Sequence, residues 1–599
     1  MDMGIRERLG ALRGKMRAAG IDATVVPTAD YHASEYLGEH FKARQYMTGF
    51  TGSAGTLVVT MDWAGLWTDG RYFIQAAAQL EGSGIELMRM GMEGVPTVPE
   101  MLCGAMSEGA KLGLDGRCVS LAFVRELKTK LAGKQVTILD SGDLVGEIWT
   151  DRPALSKAKA FLLGTHLCGR SSTDKLAAVR AEMAKHGANV HIITTLDDIA
   201  WLFNIRGGDV AHTPVVLAYA VIEKDRAALF VDDAKLDDAI GDQLAADGVA
   251  VLPYDQVYEY VRQYDEGARV LLDPEKVNYA IAVRLGEKAR LIEAGNPTQL
   301  MKAIKNETEI ANLRTAHIRD GVAFTKFMYW VKTHVDKMEI TEISASDYLQ
   351  KRREEQEGFI DLSFGTICGY KEHAAMMHYS ATPESDARLL PEGLLLVDSG
   401  GQYFEGTTDI TRTMALGPIS QEEKKHFAAV LRGMLNLSAA RFLHGCIGMN
   451  LDILARGPMW DMGIDYRCGT GHGVGYLLGV HEAPNGFRWK RVPERDDAAV
   501  LEEGMVTTNE PGIYCEGSYG VRTENELVCH AVEKNEYGQF MEFETITCAP
   551  IDLDAVDKQY LSPVDVERLN KYHAWVFKTL SPYMTDEENE WLRQYTRAI

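Results

Sequence analysis

No stretch of this 599-residue sequence approaches the roughly 20 consecutive apolar residues that span a bilayer. The opening MDMGIRERLG has no apolar core of the kind a secretory leader needs. Low-complexity segments are absent, so nothing in the composition marks a linker array or a fibre. Cysteine is sparse and scattered: nine residues, at 103, 118, 168, 368, 446, 468, 515, 529 and 548, never spaced as CxxC. An odd, dispersed set excludes a zinc ribbon and argues for free thiols in a reducing cytoplasm rather than a disulfide framework. Positive charge is in deficit, with 63 Lys and Arg against 86 Asp and Glu, a net charge of -23. Nucleic acid and anionic membranes are therefore not the expected partners.

The chain is long enough for about three or four domains. Its first part alternates helical and strand patterns. Arg6 to Ala19 has apolar residues at helical spacing and stops at Gly20, IDATVV reads as a strand, and the alternation continues to about Asp140. The pattern then repeats. At a constant offset of 167, Leu9, Ala11, Arg13, Met16, Gly20, Thr28 and Asp30 match Leu176, Ala178, Arg180, Met183, Gly187, Thr195 and Asp197. Both copies run helix, Gly stop, strand, Asp, which predicts duplicated α/β domains over 1–155 and 156–297. A Pro after Asn at Gly295-Asn296-Pro297 opens a third block, 298–599. There a long helix from Glu307 to about His334 and another from Thr341 to Glu357 precede Gly-punctuated strands, broken by one helix from Gln421 to about Phe442. Ser562-Pro563 with Asp565, and Thr585 with Glu588, predict two helix starts near the end.

Acidic residues collect in the third block where strands should run. In GLLLVDSGGQYFEGTTDITRT, four apolar residues lead into Asp398, the chain turns, and a Thr-rich strand brings up Asp409. This reads as a hairpin that can set the two carboxylates side by side, and two buried anions need a cation between them. An Asp can also merely end a strand or set a turn. Downstream, His472 lies in CGTGHGVG, Glu510 in TTNEPGIY where Pro and Gly break the strand, and Glu524 in VRTEN, two residues after Arg522. A phosphate loop does not suit the His472 segment, which runs on through YLLGVHEAP instead of opening a helix. Two Asp, two Glu and one His make a hard, mostly oxygen donor set that suits two divalent cations of the Mn²⁺ kind. Such a pair holds a bridging hydroxide at neutral pH and polarises a carbonyl, as amide hydrolysis requires. A glycosidase dyad would leave His472 and one Glu unused.

The motifs LVDSG, TTDITRT, GTGHGVG, TNEPGIY and VRTEN, in this order, resemble those of the pita-bread metallopeptidases, specifically the Xaa-Pro aminopeptidase (aminopeptidase P) family. WTDGRYFIQA, LDDIAWLFNIRG and the tail YLSPVDVERLNKYHAWVF resemble its long, three-domain cytosolic form, so the likeness covers nearly the whole chain. The resemblance implies two creatinase/prolidase-like amino-terminal domains, a pita-bread catalytic domain with a helical extension, and a cytoplasmic homodimer. It implies that Asp398, Asp409 and Glu524 ligate one metal and Asp409, His472, Glu510 and Glu524 the other. The metals would be Mn²⁺, with Co²⁺ or Zn²⁺ as alternatives. It places His378 near the leaving nitrogen and the oxyanion, His481 opposite the residue after the scissile bond, Glu510 as proton shuttle, and Arg522 as the cation orienting bridging carboxylates. The activity implied is release of the first residue from peptides with proline second, by a metal-bridging hydroxide. A prolidase acting on Xaa-Pro dipeptides and a non-catalytic peptide- or histone-binding pita-bread protein are the alternatives. Val521, Thr523, Glu405 and Ala483 depart from the usual family pattern, which bears on pocket shape and not on ligands.

Overall fold

The computed structural model describes residues 4–492 and 497–599, so the first three residues of the amino-terminal segment read above lie outside it. Two compact units emerge. One comprises the chain up to Leu163 with Arg170–Ala211 and Val215–Thr298, and the other Gly164–Gly169, His212–Pro214 and Gln299–Ile599.

The first unit contains the predicted duplication. A six-stranded sheet runs in the order Glu86–Arg89, Ala64–Thr68, Thr56–Thr60, Ala23–Pro27, Lys111–Leu114, Thr137–Asp140. A second runs Val249–Leu252, Ala227–Val231, Ala218–Glu223, Val190–Ile193, Arg269–Leu272, Arg290–Glu293. Each has two antiparallel pairs and three parallel ones in the same succession. The offset of 167 carries the strand start Ala23 onto the strand start Val190. It also carries Gly20 onto Gly187, and both close their helices with φ near +70° (66° and 70°), where only glycine sits without strain. Leu9 and Met16, like Leu176 and Met183, are buried under their sheets.

The second unit holds the acidic block. A three-stranded sheet, Ile367–Tyr370, Leu394–Ser399 and Ile410–Ala415, is antiparallel throughout. Leu394–Ser399 is buried on both faces, which is why it reads as an unbroken apolar run. Leu395 and Val397 pack with Phe324, Phe327 and Val331 of the helix Glu307–His334, while Leu394 packs with Phe427 and Val430 of the helix Gln421–Ser438. The other large sheet has the order Arg441–Leu443, Gly538–Thr545, Asn525–Asn535, Val506–Asn509, Gly471–Gly473, Glu482–Phe487. Arg412 stitches the two sheets together: buried, it donates to the Glu524 carbonyl at 2.5 Å, to Asn525 Oδ1 at 2.9 Å and to the Ala549 carbonyl at 3.0 Å.

Two expectations change here. The helix from Gln421 ends at Ser438, not near Phe442, and Phe442 lies in a strand paired with Gly538–Thr545. A further helix, Gly448–Trp460, occupies ground read as strand-like. Its Gly457-Pro458 pair suppresses any helical signal, and packing of its buried Leu451 and Ala455 against Leu437 overrides that preference, with Asp452 and Arg456, one turn apart, paired at 2.7 Å on the buried side. Both predicted helix starts near the end are present as reciprocal capping boxes, at Ser562 with Asp565 and Thr585 with Glu588.

Candidate metal centre

The five candidate ligands sit in or beside strands of the three-stranded sheet and the six-stranded sheet of the second unit. Asp398 is the fifth residue of Leu394–Ser399, and the residue directly opposite it is Thr411, not Asp409. Asp409 precedes the strand Ile410–Ala415 by one residue and shares the alternation of Thr411, so the carboxylates are diagonal neighbours on one face. The turn expected between them is larger than a hairpin loop: Gly401–Tyr403 and Gly406–Thr407 pair with each other, and the former also pairs with Phe359–Leu362 in a small sheet of their own. His472 is central in Gly471–Gly473, Glu510 follows Val506–Asn509, and Glu524 precedes Asn525–Asn535.

Donor atoms of Asp409, His472 and Glu524 all lie within 4.8 Å of one another. His472 Nδ1 donates to the Gly473 carbonyl at 2.9 Å, which leaves Nε2 with its lone pair toward Asp409 Oδ2 at 3.5 Å and Glu510 Oε1 at 3.4 Å. Those gaps are long for a charge-assisted hydrogen bond and suit a shared cation with bonds of about 2 Å. Buried oxygens point the same way. Asp398 Oδ1, Asp409 Oδ1 and Glu524 Oε1 are shielded from solvent and have no hydrogen-bond partner among the described residues. Burial, reinforced by the neighbouring carboxylates, pushes both Asp409 and Glu524 well above the usual carboxylate range. A donor set that cannot all ionise alone is one that divalent cations complete.

Several side chains invisible to the motif reading hold this set. Thr411 Oγ1 donates to Glu524 Oε2 at 2.6 Å and accepts from Arg522 Nε at 3.2 Å. Thr508 Oγ1 accepts the His472 backbone N–H at 3.0 Å and donates to Glu510 Oε1 at 3.2 Å. The alternating threonines of TTDITRT were the available signal. Arg522 donates to Asp398 Oδ2 at 2.5 Å and to Tyr514 Oη at 2.6 Å, so its carboxylate partner is Asp398 and not Glu524 two residues on. The two residues share no strand face, because Tyr519–Arg522 ends before Glu524 and belongs to a different sheet from Asn525–Asn535.

His378 lies exposed in a turn whose preceding carbonyl, Met377, accepts from Arg522 at 3.5 Å. His481 sets its ring edge-on to His472, centroids 4.3 Å apart. Burial, with Glu510 adding to it, raises the Cys468 thiol to about 11, so it stays protonated at neutral pH. Glu405 is engaged by Arg319 at 2.7 Å, while Val521 and Thr523 are buried.

The Creatinase/Prolidase N-terminal domain matches twice, over residues 8–148 and 151–309. Metallopeptidase family M24 matches over 311–531, and the C-terminal region of peptidase M24 over 539–599. Aminopeptidase P2 of Arabidopsis thaliana is 38% identical, the alignment covering 99% of this chain and 89% of the relative. The chain belongs to the Xaa-Pro aminopeptidase family. Xaa-Pro aminopeptidase 1 of Dictyostelium discoideum is 36% identical over 99% of this chain and 97% of its own length. The crystal structure of an X-prolyl aminopeptidase from Caenorhabditis elegans, described as a cytosolic enzyme with a di-nuclear active site, superposes with a TM-score of 0.94 at 31% identity and full coverage of both chains. As an Xaa-Pro aminopeptidase family member the chain is a metallo-aminopeptidase with a centre for two divalent metals, and its two creatinase-like domains precede the pita-bread domain as the motif order implied. No helix among the described residues is long and apolar enough to cross a membrane.

Proposed function

We propose that this chain releases the amino-terminal residue from peptides carrying proline in second position. The observation that carries the reading is the convergence of Asp409, His472 and Glu524 donor atoms within 4.8 Å around buried, unpartnered carboxylate oxygens. Asp398, Asp409 and Glu524 would hold one divalent ion and Asp409, His472, Glu510 and Glu524 the other, with Mn²⁺ the proposed native metal. Such ions, when bound, supply an acidified water and polarise a carbonyl.

The chain's own residues do the rest. Glu510, steadied by Thr508, carries the proton from the attacking water to the proline nitrogen at one of its carboxylate oxygens. Arg522 holds Asp398 and donates to the Met377 carbonyl in the turn that bears His378; the His378 imidazole is assigned to the developing oxyanion. His481, packed on His472, is assigned to the residue after the scissile bond. A bond to proline is a tertiary amide without an N–H, so a site shaped for the ring and needing no amide donor selects it.

The division at about residues 155 and 297 belongs to the same reading. So does a cytoplasmic homodimer: Met449, Ile453 and Trp460 form an exposed apolar stripe on the helix Gly448–Trp460, and Trp489 meets Trp460 edge-on at 5.9 Å. Sedimentation of Trp460→Glu should shift the protein toward monomer.

The function is tested by following hydrolysis of an Xaa-Pro-Yaa tripeptide and an Xaa-Pro dipeptide with Mn²⁺, Co²⁺ or Zn²⁺ and a metal-stripped control. Metal-dependent release of the first residue from the tripeptide is expected, abolished by Asp409→Asn. Dipeptide cleavage alone would replace the reading with a prolidase. Absence of bound metal in purified protein would replace it with a binding role.

A further inference from the structure

The helix Glu307–His334 carries a histidine in its apolar face. His317 is buried, and its Nδ1 donates to the Leu313 carbonyl one turn back at 2.8 Å. Its Nε2 lies 3.1 Å from Glu526 Oε1, with both side chains essentially out of solvent, at 2% and 0% exposure. Burial alone would lower the imidazole, and the Glu526 carboxylate beside it raises it instead. The same Glu526 oxygen accepts the backbone N–H of Asp409 at 2.7 Å. Asp409 stands one residue outside its strand, so no ladder hydrogen bond holds that amide; a carboxylate from the neighbouring sheet does. Glu526 is itself fixed, its N–H donating to Thr547 Oγ1 at 2.7 Å and its register partner being Thr508.

A buried ion pair is no efficient source of stability, because apolar residues of similar volume serve a core as well or better. What an apolar residue at 526 could not do is accept the Asp409 N–H. We propose that Glu526, braced by His317, is a positioning residue that fixes the backbone of Asp409, the carboxylate both metal ions would share. The inference rests on the metallopeptidase reading above. Fixing that amide sets where the Asp409 side chain leaves the backbone, and so aims its unpartnered Oδ1 into the centre.

Two substitutions that both remove the Glu526 charge separate the acceptor from the charge. Glu526→Gln keeps a carbonyl oxygen for the Asp409 N–H, and Glu526→Leu does not. Mn²⁺ is titrated calorimetrically into the metal-stripped full-length protein, with circular dichroism and melting temperature recorded for each variant. The glutamine variant should bind within about threefold of the parent, and the leucine variant about tenfold to a hundredfold more weakly. Equal Mn²⁺ affinity in the two variants overturns the proposal. If the leucine variant does not fold, Glu526→Met, which keeps the side-chain length, takes its place under the same criterion. Asp409→Asn in the same titration separates the two readings. Unchanged Mn²⁺ binding there removes the metal centre itself, whereas loss of binding there with equal affinities in the two Glu526 variants removes only the positioning role.

Discussion

Thr411 shows how much a single uncharged side chain contributes to an acidic centre. Its hydroxyl donates to Glu524 and accepts from Arg522, so it links the carboxylate assigned to both ions with the guanidinium that holds Asp398. Thr411→Val keeps the shape and removes both bonds. The expected result is a fall of about ten- to a hundredfold in kcat/KM on an Xaa-Pro-Yaa tripeptide, partly recovered by raising Mn²⁺, in the range typical of losing a partner to a metal ligand. No loss would mean that Glu524 is held by the ions alone. The five candidate ligands could be singled out at this scale because acids in strand-like runs, an acid beside Pro and a His in a Gly-rich segment are anomalies that burial chemistry can question. Thr411, Thr508 and Glu526 were not singled out: the alternating threonines of TTDITRT cue only the first, and Glu526 shares its run with Glu524, so that neither finds its role until its partner is known.

At the scale of the element, the helix Gly448–Trp460 is the instructive case. Its inner face presents Asp452 and Arg456, and Arg456 also reaches the Tyr466 carbonyl at 2.9 Å and the Cys468 carbonyl at 3.2 Å, clamping the segment that leads into His472. Thr470 joins the clamp through Asp452 at 2.5 Å, and its carbonyl accepts the Glu510 N–H at 2.8 Å. Asp452→Ala strips a buried arginine of its main partner and should destabilise the protein by about 3–5 kcal/mol, read as a lower urea midpoint. The helix can approach Gln421–Ser438 only because Gly433 has no side chain: a Cβ there would stand 2.2 Å from the Ala455 carbonyl oxygen. Gly433→Ala should therefore cost about 1–3 kcal/mol, despite alanine's better helix propensity, and a stabilised variant would refute the close approach. Neither the helix nor its clamp is readable locally, because the intrinsic preferences of Gly and Pro oppose it and long-range packing overrides them.

For the whole molecule, two buried neutral histidines make stability fall in mild acid. His573 accepts the Ile551 N–H at 3.0 Å and is held down to about 3 by burial, with Arg412 adding to it. His191 donates to the Leu271 carbonyl at 3.0 Å and is held to about 4, again chiefly by burial. Both folded values lie below the unfolded one near 6.5, so the unfolded chain takes up protons first, and stability is lost as pH falls below about 6.5. Each should cost roughly 1–2 kcal/mol between pH 7 and 5. Scanning calorimetry should show the melting temperature of the parent dropping across that range, and that of His573→Gln, which retains an acceptor, dropping less. By itself the sequence determined the duplicated helix-Gly-strand order and offered five side chains whose donor atoms suit hard cations, because periodicity and donor chemistry are local properties. Only the tertiary structure decided that Asp398 faces Thr411, that Arg522 serves Asp398 from 124 residues away, and that Glu526 and His317 stand behind Asp409. Those relations depend on how one sheet's strand ends abut another's, and the pairing between distant strands is a global balance of packing that no local stretch encodes.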